Sequence, residues 1–92
     1  MKNLIIFGGH WKLDSGCVKE NVVERDWNWK IAKEVVKYLK IKVNRDINVN
    51  LGINANLYDK IDYVNSLENV ILAMEIHFNC FSKDTAEGCT VY

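Results

Sequence analysis

Glu75-Ile76-His77-Phe78-Asn79, with the apolar run Val70-Ile71-Leu72-Ala73-Met74 before it, decides how this chain is read. The run predicts a buried strand that ends at His77. Side chains two apart on a strand share a face. Glu75, His77 and Asn79 therefore point one way, while Met74, Ile76 and Phe78 point the other. A carboxylate, an imidazole and an amide on one face of so apolar a strand need partners, because an unpaired buried polar group is costly. A metal ion is one such partner. The rest of the chain must then supply the other ligands.

Working outward, Leu4-Ile5-Ile6-Phe7 is a continuous apolar run closed by Gly8-Gly9. It reads as a central strand buried on both faces. His10 follows at its C-terminal end, the edge of an open α/β sheet where ligands sit. Residues 11–23, with Asp14, Ser15 and Gly16, read as a loop long enough to fold over a site. Glu24 to Lys40 is the clearest helix. Trp27, Ile31, Val35 and Leu39 recur every four residues, flanked by Asn28, Ala32 and Val36. Glu24 and Asp26 suit the positive end of its dipole, and Lys37 and Lys40 the negative end. Trp29 lies off the apolar stripe, either as an exposed binding surface or packed under another element.

Further on, Ile47, Val49 and Leu51 alternate with Asn48 and Asn50, the pattern of a strand with one polar face. A second helix is expected from about Asn54 to Ser66, with Leu57, Ile61 and Val64 toward the core. After the strand that ends in His77 come a polar loop and the start of another strand over 88–92. This order predicts an α/β fold, a mostly parallel sheet with helical crossovers in the sequence β-α-β-α-β-β. It brings the ends of the first and third long strands to one edge, so that His10 and His77 become neighbours.

A length of 92 residues implies one small domain with a thin core. Lys+Arg and Asp+Glu both number 12. That balance argues against a dedicated nucleic-acid binder, which needs a basic surface. The apolar run at Leu4–Phe7 is too short for a signal-peptide core or a membrane span. The expectation is a chain made in the cytoplasm without a signal peptide and without a membrane partner. Cys17, Cys80 and Cys89 are odd in number and lack CxxC spacing. They are expected to be free thiols in a reducing compartment.

His10 and His77 at the sheet edge, with Glu24 heading the first helix, would form the open three-ligand set of a catalytic zinc. Imidazole with carboxylate suits Zn²⁺ better than Mg²⁺ or Ca²⁺, which prefer oxygen. Asn28 lies one turn after Glu24, within reach to orient it, and Asn79 shares the face of His77. The same residues also admit a plainer reading, in which the histidines are structural groups of a small α/β interaction domain.

Gly9-His10, then Asp14 and Gly16, then Glu24 with Asn28, then Ile76-His77-Phe78-Asn79, then Gly88 with Val91-Tyr92 form an ordered set. It resembles the zinc-dependent N-acetylmuramoyl-L-alanine amidases of bacterial autolysins and phage endolysins. Leu57, Lys60 and Val64-Asn65 are similar to that family's second-helix pattern, with Lys where Arg is usual. Gly52-Ile53 replaces a common Thr-Arg pair, and Cys17 stands where a small Ala is common. The resemblance implies one zinc ion on His10, Glu24 and His77. It implies a peptidoglycan substrate and hydrolysis of the amide between N-acetylmuramic acid and L-alanine, at a bacterial cell wall reached by secretion or lysis.

The family domain is longer and carries a glutamate near its C-terminal end, assigned as general base. No counterpart precedes Tyr92, so residues 1–92 read as a truncated amidase-like catalytic domain. Glu75 is the candidate here for that base. Its other reading is a glutamate merely paired behind His77. A sheet cut after Tyr92 leaves an unpaired edge and uncovered apolar surface. A homo-oligomer, or completion by a second chain as in a split enzyme, is therefore expected. The alternative to an enzyme is a domain that binds metal or wall fragments without turning them over.

Overall fold

The middle of the sheet is β1 (Lys2–Gly8), flanked by β4 (Ile47–Leu51) on one side and β5 (Val70–Ile76) on the other, both parallel to it. This arrangement comes from a computed structural model, which describes residues 1–78. Ile5, Ile6 and Phe7 are 0%, 1% and 3% exposed, as a strand covered on both faces requires. Helix α1 (Glu24–Lys42) joins β1 to β4, and α2 (Leu57–Ser66) joins β4 to β5. The second crossover runs back across β1. With the usual hand, its helix falls on the opposite face. Accordingly, Ile6 packs with Val49, Ala32 and Val36 on the α1 face. On the α2 face the Phe7 ring meets Tyr63 edge-on at 6.1 Å.

The helix α1 starts at the expected residue and runs to Lys42 rather than Lys40. Its buried positions are Glu24, Asn28, Ala32 and Val36, not the stripe that begins at Trp27. Trp27 is 40% exposed, with the Lys30 ammonium 4.7 Å from its ring, while Trp29 is half-buried. The reason is chemical. The first turns of α1 face polar partners at the sheet edge, so Glu24 and Asn28 are drawn inward, and a pattern read from hydrophobicity alone shifts by one residue. The helix has no side-chain cap at Val23. The orphan amides of its first turn are met instead by the preceding loop, Glu24 donating to the Cys17 carbonyl at 2.8 Å and Arg25 to that of Ser15 at 3.0 Å. The α2 helix begins at Leu57 because Asn56 caps it, accepting from the Asp59 amide at 2.8 Å.

Residues 11–23 are more ordered than a loop. Trp11 and Asp14 close a tight turn by exchanging backbone hydrogen bonds. β2 (Val18–Lys19) and β3 (Val22–Val23) pair as a hairpin, with Glu20 left-handed at φ 58. Strands two residues long carry no periodic signal to read.

β5 forms as expected but ends at Ile76, and it is not buried: Ile71, Leu72 and Met74 are 51%, 48% and 44% exposed. Among the described residues it is an edge strand, and the core is centred on β1, β4 and α1. Cys17 is disulfide-bonded, which corrects the expectation of a free thiol there. Pairing depends on Cα separation in space, which sequence spacing does not give. The polar loop and strand expected after His77, with Asn79, Cys80 and Cys89, lie outside the described residues.

Candidate metal centre

Three side chains far apart in sequence converge where β1 and β5 end. His10 leaves β1 with a left-handed backbone, φ 62, which turns its ring back over the sheet edge. Glu24 is the first residue of α1, and His77 follows β5 directly. The two imidazoles lie edge to face, centroids 4.9 Å apart and planes at 89°. One oxygen of Glu24, Oε2, is 3.2 Å from His10 Nε2 and 3.0 Å from His77 Nδ1. A set of potential ligand atoms, one from each residue, lies within 4.8 Å of one another.

Each imidazole has a carboxylate on its other nitrogen. His10 Nδ1 is 2.8 Å from Asp14 Oδ2, and His77 Nε2 meets Glu75 Oε1. Such outer partners fix the tautomer and the orientation of a ligating ring. The His10 hydrogen bond comes first among the causes that hold the Asp14 carboxyl below its ordinary value.

Glu24 is 5% exposed. Burial pushes its carboxyl up, but four partners together outweigh it and leave the carboxyl lowered. The Cys17 amide donates to Oε1 at 3.0 Å. The Asn28 side-chain amide and the Phe78 backbone amide donate to Oε2 at 3.0 and 3.1 Å. His77 is the remaining partner. Glu24 is thus an anion ready to bind a cation. Asn28, fully buried, also donates to the Gly9 carbonyl at 3.1 Å, tying α1 to the end of β1. Its own carbonyl oxygen is buried with no hydrogen-bond partner among the described residues.

Two glycines make room for the rings. A Cβ on Gly9 would overlap the His77 imidazole. Gly16, at φ 66, lies against His10 and within 2.8 Å of Glu24 Oε1 where its Cβ would stand. Two imidazole nitrogens, one anionic oxygen, a supported back face on each ring and a glycine-lined approach fit a zinc ion.

Sequence reasoning placed His10, Glu24 and His77 together, and Asn28 beside Glu24, as the structure has them. Glu75 is next to His77 as anticipated, with both oxygens engaged: Oε1 by His77 and Oε2 by Lys60 Nζ at 2.9 Å. Burial pushes its carboxyl up, and Lys60 and His77 bring it net below its ordinary value. Asn79 is outside the described residues. Lys60 was not singled out as a site residue, nor Asp14 as the partner of His10. Lys60 had a signal: it shares the face of Leu57, Ile61 and Val64, where a lysine must find buried acceptors.

Comparison with curated proteins gives no match. The sequence profile described as N-acetylmuramoyl-L-alanine amidase matches residues 4–92, over the N-terminal part of that domain. With that match spanning nearly all of the sequence, the chain belongs to the N-acetylmuramoyl-L-alanine amidase family.

Proposed function

We propose that His10, Glu24 and His77 hold a single zinc ion in a peptidoglycan hydrolase that cleaves the amide between N-acetylmuramic acid and L-alanine. The observation that carries this reading is the convergence of two carboxylate-backed imidazoles on one oxygen of Glu24. When bound, zinc supplies Lewis acidity toward a carbonyl and activation of water at neutral pH.

The chain's own residues supply the rest. Asn28 and the Cys17 and Phe78 amides hold Glu24 as an anion, directed at the imidazoles. Asp14 and Glu75 keep the ring nitrogens that face Glu24 in position for the metal. Glu75 is also the carboxylate nearest His77 and the candidate for the reaction's proton acceptor. Its engagement by both Lys60 and His77 favours the orienting role.

The site of action in this reading is a bacterial cell wall, as for an autolysin or endolysin. No helix of the described residues is long and apolar enough to cross a membrane. The exposed apolar side chains Ile61, Leu72 and Met74 support coverage by a second copy or a completing chain. Size-exclusion chromatography with light scattering checks this, and a clean monomer counts against it.

Release of new amino termini from purified peptidoglycan, measured with and without a chelator, tests the activity. Chelator-sensitive release is expected, and release that persists in chelator discards the zinc. One observation favours a second reading, metal binding without turnover: both Glu75 oxygens are already engaged. Bound zinc with no hydrolysis would support that reading.

A further inference from the structure

We infer that Lys60 is a positioning residue that locks both imidazoles of the metal centre at once. The inference rests on the metal reading above and concerns how the ligands are held. Lys60 is 4% exposed, on a helix that contributes no ligand. Its ammonium reaches the Gly8 carbonyl at 2.8 Å, the His10 carbonyl at 3.1 Å and Glu75 Oε2 at 2.9 Å.

An ammonium has three donors, and three acceptors take them. None is left for a substrate, so Lys60 acts only through the groups it holds. On one side it grips the backbone of His10. That residue sits at φ 62, a conformation non-glycine residues rarely adopt and keep only when their surroundings fix it. On the other side it holds Glu75, whose remaining oxygen meets His77 Nε2. One buried cation on α2 therefore fixes the strand end that carries the first histidine and the carboxylate that orients the second.

The geometry also explains why the lysine is buried at all. Leu57 and Ile61, its neighbours on α2, are 60% and 46% exposed, so the helix is docked by few apolar contacts at this end. The Lys60 side chain crosses to β1 and β5 and passes the Phe7 ring at 5.9 Å. A role in helix docking alone would leave the metal ligands unaffected when the charge is replaced by an apolar chain of similar length.

The test is zinc affinity, by competition with a chromophoric chelator, together with the ligand-field spectrum of the Co²⁺-loaded full chain. Lys60→Met is expected to weaken zinc binding about 10- to 100-fold and to change the Co²⁺ bands, the loss typical of removing an outer-shell support. Lys60→Arg, which restores the charge and the donors, is expected to recover most of both. Wild-type affinity and an unchanged Co²⁺ spectrum in folded Lys60→Met overturn the inference while leaving the metal reading intact.

Circular dichroism reports whether Lys60→Met folds. If it does not, Glu75→Gln decides, because the Glu75 side chain is 28% exposed and the glutamine amide keeps its shape. A loss of affinity with altered Co²⁺ bands supports the link through Glu75, and no change in either removes it. A wild-type chain that takes up neither metal removes the metal reading and this inference together.

Discussion

The two flanks of β1 differ sharply. On the β4 side, α1 closes over the sheet, and Ile6, Ala32, Val36 and Val49 are at most 6% exposed. On the β5 side, Ile71, Leu72 and Met74 stand 44–51% exposed, and a cavity of about 310 Å³ opens between α2 and β5, lined by Phe7, Ile61, Ala73 and Met74 among others. The candidate metal centre straddles this divide. Glu24 comes from the packed flank and is 5% exposed, whereas His77 comes from the open flank and is 39% exposed. The packed flank holds its ligand by burial and hydrogen bonds. The open flank holds its ligand by a hydrogen bond between His77 and Glu75, which is itself ion-paired to Lys60. Burial with hydrogen bonds and clamping by a buried lysine are thus alternative ways to fix a ligand, and this chain uses one on each side.

The largest expected effect tests the packed flank. Ile6→Ala should cost about 2–5 kcal/mol, read from urea or thermal unfolding, because it opens a cavity in the only fully enclosed cluster among the described residues. A cost below about 1 kcal/mol would erase the distinction between the flanks. Next comes the joint between core and site. Asn28→Ala should cost about 1–3 kcal/mol, because the Gly9 carbonyl and Glu24 both lose a buried donor. It should also weaken metal binding. A stable variant with unchanged affinity would mean that Asn28 does not hold Glu24.

Acid should act on both flanks. The carboxyls of Glu24 and Glu75 lie below their ordinary value of 4.5 in the folded chain. Below that pH the unfolded chain binds more protons than the folded one. Their contribution is therefore fully present above about pH 4.5 and is lost as acid carries the folded groups through their lowered values. Unfolding of the metal-free chain as a function of pH should show this fall, and Glu75→Gln should reduce it. A flat profile below pH 4.5 contradicts the arrangement. The smallest effect is expected on the open flank, where Leu72→Ala should change stability by less than about 1 kcal/mol, since Leu72 already keeps 48% of its surface in solvent.

What could be read from the sequence follows the same divide. The run Leu4–Phe7 announced a central strand because burial on both faces leaves an uninterrupted apolar signature. The alternation of strands and helices sufficed to bring His10, Glu24 and His77 to one edge, since a parallel sheet aligns its strand ends. The buried stripe on α1 lies one position from the apolar one because Trp27 is apolar yet points outward, while Glu24 and Asn28 are polar and point into the site. The exposure of β5 was not legible, because an apolar run looks the same at the edge of a sheet as at its centre. The Lys60 clamp joins a carboxylate fifteen residues away and two backbone carbonyls about fifty away, so the sequence marks the lysine on an apolar helix face but not the partners it finds. The Cys17 disulfide depends on a distance in space, which spacing along the chain does not encode.

The central claim is that His10, Glu24 and His77 act as one metal site across the two flanks. The most direct test is the metal content of the purified chain after dialysis against zinc, measured by elemental analysis beside His10→Ala, Glu24→Ala and His77→Ala. The account predicts about one zinc per wild-type chain and close to none in each variant, since each removes one of three protein ligands. A wild-type chain that retains no zinc, or variants that retain as much as the wild type, would contradict it.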